Sequence, residues 1–208
     1  MTEKGRKPLG LIVPIIGLAV IIIAVVAVAS RRGPDNAGAP QPAADAGAPA
    51  GASESPPAQF TWHAEPKPEP TTPFQDADGA THTLADFAGK ALVVNFWATW
   101  CAPCVKEMPT LDALQAQLGG DGFQVLAISQ DREGATAAKP FMDGKGWKNL
   151  ALYTEAPGQF ARDAALRGIP TSIVIDKTGH EVGRVEGEVN WTAPEVVQKL
   201  KEIAAANP

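Results

Sequence analysis

Two cysteines three residues apart close an apolar run and open a helical one, and the chain of 208 residues holds no others. The run before them, Ala91-Leu92-Val93-Val94-Asn95-Phe96-Trp97, is short and rich in apolar residues, and predicts a strand buried on both faces. After them Val105, Met108, Leu111, Leu114 and Leu118 recur at helical spacing, so a helix over about 101–118 is expected. Cys101 then stands at a helix N-terminus, where unpaired backbone N–H groups favour a thiolate. Cys104 lies one turn in, on the same face, within reach of a disulfide. A buried strand, a Cys-x-x-Cys pair and a helix, in that order, make the arrangement that thiol–disulfide exchange needs. The alternative is a disulfide that only stabilises. Its closed loop is so short that it would constrain the unfolded chain little.

The remainder of the chain divides by composition. Residues 11–29 carry no charge over 19 positions, about the length needed to cross a bilayer's hydrocarbon core. Lys4, Arg6 and Lys7 precede this segment and Arg31 and Arg32 follow it, so the positive-inside rule places residues 1–10 in the cytoplasm. A cleaved signal peptide is the alternative, with Ala27-Val28-Ala29 as a small-residue cleavage site. Both readings export the rest. Residues 30–73 are mostly Ala, Gly, Pro, Ser and Asp and read as a disordered tether. Such a segment of about 40 residues would reach roughly 30–40 Å. Phe60 and Trp62 interrupt it, either as the first ordered residues or as linker residues. Residues 74–208 have the size of a single domain with one core. The formal net charge of −5, with no basic stripe interleaved with aromatics, gives no reason to expect nucleic-acid binding.

Within 74–208 the pattern predicts a mixed α/β sheet covered on both faces. A hairpin is expected around Asp78-Gly79, a helical turn over 84–87 and a second buried strand over 124–129. A helix follows over 134–145 with Pro140 as a kink, then an edge strand at 151–153 and a helix over 158–166. A third strand at 171–176 turns back through 181–187, and Thr192 is expected to cap a last helix carrying Val196, Val197, Leu200 and Ile203.

The block Val93-Val94-Asn95-Phe96-Trp97-Ala98-Thr99-Trp100-Cys101-Ala102-Pro103-Cys104-Val105-Lys106-Glu107-Met108-Pro109, with Gly168-Ile169-Pro170-Thr171, resembles the TlpA/ResA/CcmG branch of thioredoxin-fold proteins. The likeness covers roughly 74–205, and TlpA is the nearest of the three in kind. It implies a thioredoxin-like fold and a membrane-anchored thiol:disulfide oxidoreductase on the periplasmic, extracytoplasmic side of the inner membrane. It implies Cys101 as nucleophile and Cys104 as resolving cysteine, joined as the redox-active disulfide, with no other cofactor. Glu107 matches an acidic residue of ResA-like proteins near the second cysteine, where it would accept the Cys104 proton. Six residues, about 9 Å of helix, separate it from Cys101, too far for contact. An exposed Glu beside Lys106 is the alternative. Ile169-Pro170 matches the cis-proline loop. Trp100, Pro103, Ile169 and Pro170 would meet the substrate, while Trp97 belongs to the core. Thioredoxin itself carries a buried Asp where this chain has Asn95.

The partners implied are proteins with disulfides or dithiols: a copper chaperone, an oxidase subunit or an apocytochrome c. Electrons would come from a membrane donor of the CcdA or DsbD type. Ala102 and Pro103 add no cation to the pair, which favours reduction over oxidation of the partner. A copper-delivery module and a dithiol oxidase are the competing functions. A zinc site would need two further ligands, and His63, His82 and His180 show no ligand spacing.

Overall fold

The computed structural model describes residues 60–155 and 158–206. The expected membrane segment 11–29 and the tether as far as residue 59 lie outside them. Among the described residues no helix is long and apolar enough to cross a membrane. The strands are β1 (Phe60–Pro68), β2 (Phe74–Asp76), β3 (Thr81–His82), β4 (Ala91–Trp97), β5 (Phe123–Ser129), β6 (Ala151–Thr154), β7 (Thr171–Ile175) and β8 (His180–Glu186). The helices are α1 (Ala102–Leu118), α2 (Ala135–Lys145), α3 (Gln159–Asp163) and α4 (Pro194–Ala205), with a 3-10 turn at Leu84–Phe87. The strands form one mixed sheet in the order β1-β8-β7-β4-β5-β6-β2-β3.

All seven residues of β4 are buried, which is why its sequence lacks the polar alternation of a half-exposed strand. Parallel β5 pairs with it on one side and antiparallel β7 on the other. Its side chains alternate between two cores. Ala91, Val93 and Trp97 join α1, α2 and α4 through Met108, Leu111, Leu114, Met142 and Leu200. Leu92, Val94 and Phe96 join Phe74, Leu84 and Phe160 on the opposite face. Each large apolar side chain buried this way contributes about 2 kcal/mol of transfer free energy. The same alternation puts Asn95 on the α1 face, as the one polar residue of the strand.

The hairpin, the 84–87 turn and the order of the central elements agree with the sequence reading. Four details differ. The sheet begins at Phe60, upstream of the expected boundary at 74, because β1 adds antiparallel to β8 from Phe60↔Val185 to Pro68↔His180. Trp62 lies on Gly183, where a Cβ would collide with its ring, and Phe60 stacks on Trp62 at 5.2 Å. Second, β6 is not an edge, since the β2–β3 hairpin pairs outside it through Gln75↔Thr154. Third, α3 ends at Asp163, because Ala165 turns left-handed (φ 53°) and Leu166 N–H closes the end on Ala161 O at 2.9 Å. Finally, Thr192 does not cap α4. Asn190 Oδ1 takes both its N–H (3.1 Å) and its hydroxyl (2.7 Å), and Pro194 starts the helix after Ala193.

Glu181, buried on β8, ties β1 to its neighbour through His63 and pairs with Arg184 of its own strand. Glu181 Oε1 lies 2.7 Å from His63 Nε2 and accepts from Arg184 Nε at 2.7 Å, while its Oε2 accepts from Arg184 Nη2 at 2.8 Å. Burial works to raise the Glu181 carboxyl, but the bonds from Arg184 and His63 outweigh it and hold the group below its ordinary range. Glu181→Ala would leave Arg184 without its counter-charge, at a cost on the order of 3 kcal/mol. We expect faster amide exchange along β1 in that variant, read by hydrogen–deuterium exchange. Unchanged protection of β1 would show that aromatic packing alone holds the strand.

Candidate active site

The chain leaves β4 at Trp97, makes one turn and enters α1 at Cys101. Cys101 has extended backbone angles (φ −91°, ψ 98°) and caps the helix, its Sγ accepting from Cys104 N–H at 3.3 Å. Pro103 lies within the first helical turn, where its missing N–H leaves no bond unmade. The two sulfurs form a disulfide with S–S 2.01 Å, and among the described residues no free cysteine occurs. Cys101 retains 6% of its surface in contact with solvent and Cys104 none. An incoming sulfur therefore meets Cys101 first. Trp100, 69% exposed, stands beside it as a bare apolar surface, whereas Trp97 is fully buried against Trp147 and Phe141.

The turn itself is pinned by a group that the sequence reading did not single out. Asp131, buried just past the end of β5, accepts from Thr99 N–H (3.1 Å, Oδ2), the Thr99 hydroxyl (2.7 Å, Oδ1) and the Ser129 hydroxyl (2.8 Å, Oδ2). Its own N–H donates to Ser129 Oγ at 3.0 Å, and Cys101 N–H donates to Ala98 O at 3.1 Å. The only signal in the sequence is a pair of polar residues ending an apolar strand. Opposite, the Ile169–Pro170 peptide is cis, as the resemblance implies. The register Phe96↔Thr171 sets Pro170 across from Trp97, at the same end of the sheet as the disulfide. Pro170 O accepts from Gly187 N–H at 2.9 Å, and Thr171 Oγ1 donates to Gly168 O at 2.7 Å.

Glu107 is buried, so the alternative of an exposed helix Glu beside Lys106 does not hold. Lys106 instead pairs with Glu188 at 2.8 Å. Glu107 faces β4 because α1 turns positions 104, 107, 108, 111 and 114 inward. Asn95 Nδ2 donates to its Oε1 at 2.8 Å and to Ser172 Oγ at 2.9 Å. Its Oε2 accepts from Val189 N–H at 2.9 Å and from Trp191 Nε1 at 3.4 Å. Burial pushes the carboxyl up to about 7; bonds from Val189, Asn95 and Trp191 oppose it, and the charge of Glu188 adds to it. Ser172, Val189 and Trp191 come from segments far along the chain, with no local signal linking them to Glu107. The structure brings Cys101, Cys104, Trp100, Pro103 and the Ile169–Pro170 loop to one end of the sheet. Glu107 stands one turn behind Cys104, inside the protein.

The histidines lie elsewhere: His63 with Glu181, His82 Nε2 3.0 Å from Asp76 Oδ2, and His180 Nδ1 2.7 Å from Thr178 Oγ1. Among the described residues no group of three or more His, Cys, Asp or Glu is placed to hold a metal ion.

Residues 48–200 match the redoxin family. The chain is 32% identical over 137 residues to the thiol-disulfide oxidoreductase ResA of Bacillus thuringiensis subsp. konkukian, covering 66% of this chain and 77% of that protein. It is 30% identical over 133 residues to the thiol:disulfide interchange protein HelX of Rhodobacter capsulatus, covering 64% and 68% respectively. Among solved structures, a thiol:disulfide interchange protein of the thioredoxin family from Chlorobium tepidum superposes with a TM-score of 0.58 at 29% identity. It covers 69% of this chain and 99% of that one.

The raised Glu107 carboxyl makes stability depend on pH. Between its ordinary 4.5 and about 7 the folded state holds more protons at this group than the unfolded chain does. Stability therefore falls as pH rises through that window, by about 3 kcal/mol in all. Glu107→Gln should abolish this slope, measured by urea unfolding at pH 5 and pH 8. A slope retained in the variant would place its origin in another group.

Proposed function

Because the chain belongs to the redoxin family and is a thiol–disulfide oxidoreductase of the ResA/HelX type, we propose that it works as a reductase of partner-protein disulfides. Cys101 acts first. As a thiolate at the helix N-terminus it attacks one sulfur of the partner disulfide, forming a mixed disulfide and releasing the partner's other sulfur as a thiolate. Cys104 then loses its proton to the Glu107 carboxylate and attacks Cys101 Sγ. The mixed disulfide breaks, the partner leaves as a dithiol, and two electrons have passed from the enzyme, which now holds the Cys101–Cys104 disulfide. Trp100, Pro103 and the Ile169–Pro170 loop form the surface that receives the partner's extended chain around the attacked bond.

The observation that carries the direction is the composition of the site. Ala102 and Pro103, the exposed residues between the cysteines, offer the thiolate no cation, and Glu107 behind them is an acid poised near neutrality. A strong oxidant would need the reduced thiolate form stabilised further. Residues 11–29 anchor the chain in the inner membrane and residues 30–59 tether the domain on the periplasmic side. A membrane donor of the CcdA or DsbD type returns the electrons. The substrates are oxidised dithiols of a copper chaperone, a cytochrome oxidase subunit or an apocytochrome c.

The reduction potential of the Cys101–Cys104 pair, from equilibration with defined thiol buffers, tests the direction. A value near about −270 mV fits a reductase, and one near about −120 mV makes the protein a disulfide donor. For the proton step, Glu107→Gln should slow resolution of the mixed disulfide at neutral pH on the order of 100-fold, by stopped-flow measurement. An unchanged rate would remove Glu107 from the reaction.

A further inference from the structure

Asn95 is fully buried, yet only one end of its amide is paired. Nδ2 donates to Glu107 Oε1 and Ser172 Oγ, while Oδ1 has no hydrogen-bond partner among the described residues. A buried carbonyl left unpaired is costly, and the opposite orientation would pair it while leaving Nδ2 unpaired in its place, so neither orientation satisfies both ends of the amide. What decides between the two orientations is the proton on Glu107. When Glu107 is ionised, its Oε1 can only accept, and Nδ2 must face it. Once Oε1 carries a proton it becomes a donor, and an N–H facing it would set hydrogen against hydrogen. Oδ1 in the same place would accept that proton and the reversed hydroxyl of Ser172.

The two oxygens of Glu107 are not equivalent in this respect. Oε2 faces the N–H of Val189 and the indole Nε1 of Trp191, and neither can turn into an acceptor. A proton on Oε2 would occupy a lone pair that one of these donors uses, and would cost that bond. On Oε1 it loses none, provided the amide turns. We infer that Asn95 is the positioning residue for the Glu107 proton: its side-chain amide turns over when Glu107 is protonated, so that Oδ1 replaces Nδ2 opposite Oε1 and accepts the carboxyl hydrogen. The function of the turn rests on the reading that Glu107 receives the proton of Cys104, since it lets the carboxyl gain and lose that proton at a constant number of hydrogen bonds. An Asp here would bring a second negative charge, and an apolar residue would hold neither state.

Few ionisable groups face Glu107. Glu188, paired with Lys106, approaches from the loop after β8 and disfavours the charge. Cys104 precedes it by one turn on α1, and from β4 and β7 the neighbours are the neutral Asn95 and Ser172.

The test follows the Glu107 carboxyl carbon and the Asn95 amide protons by NMR in the oxidised protein from pH 5 to 9. The expected result is a shared midpoint, with contacts from the Asn95 amide protons to the Ser172 β-protons above it and their loss below it. Glu107→Gln should show the low-pH pattern at every pH, because its oxygen must face Val189 and Trp191 and its amide nitrogen must face Asn95. Asn95→Leu removes a bond from each protonation state, and because the one to the ionised carboxylate is charge-assisted and the stronger, the Glu107 midpoint should rise, by up to about one pH unit. Asn95 contacts that stay constant while Glu107 titrates, a midpoint unmoved by Asn95→Leu, or a Glu107 that does not titrate would each overturn the inference. If the amide turns but the pH profile of mixed-disulfide resolution ignores the shifted midpoint, the inference stands. The proton-transfer role of Glu107 then falls.

Discussion

A strand buried on both faces organises this protein. Because β4 has no exposed side, a polar side chain along it is costly unless its atoms are met from inside. One residue, Asn95, is polar, and the alternation of the strand aims it at α1. The helix starts only a turn after the strand ends, so its inward face is fixed by the same short connection. Glu107 is carried to Asn95 by that geometry. The connection that brings a carboxyl into the core also sets two cysteines at the helix tip, one touching solvent and one sealed.

That asymmetry is the basis of the chemistry. In a helix the third residue after the cap lies one turn deeper, and here the difference separates a sulfur that partners can reach from one they cannot. The turn leading to Cys101 is held by Asp131 rather than by packing alone, since Thr99 binds that buried carboxylate through both its backbone and its hydroxyl. From the other side β7 supplies Pro170 at the same level. Three adjacent strands, β5, β4 and β7, thus converge on one end of the sheet, and each contributes a different part of the site.

Much of this was legible along the chain, because it depends on residues close together. The buried strand, the cysteine spacing and the inward stripe of α1 are local patterns with fixed periods. The cis peptide before Pro170 followed from resemblance, not from any local physical signal. What could not be read were contacts closed by distant segments. Ser172, Val189 and Trp191 reach Glu107 only after the sheet and the loop beyond β8 have formed, and Asp131 meets Thr99 only through the β4–β5 pairing. The docking of β1 was hidden for a different reason. Its prolines and exposed face give it the composition of a linker, and it is held by the Trp62 contact with Gly183 and by the hydrogen bond between His63 and Glu181. Thr192 follows the local pattern of a cap but does not act as one, because a competing acceptor, Asn190, stands two residues away.

The central claim is that the exposed sulfur attacks and the sealed one resolves. The most direct measurement is to trap the intermediate by adding a disulfide-bonded peptide to the reduced Cys104→Ser and Cys101→Ser proteins and weighing the products by mass spectrometry. The account predicts a stable mixed disulfide on Cys101 in the Cys104→Ser protein and none in the Cys101→Ser protein. A mixed disulfide on Cys104 in the Cys101→Ser protein, formed at a comparable rate, would contradict it.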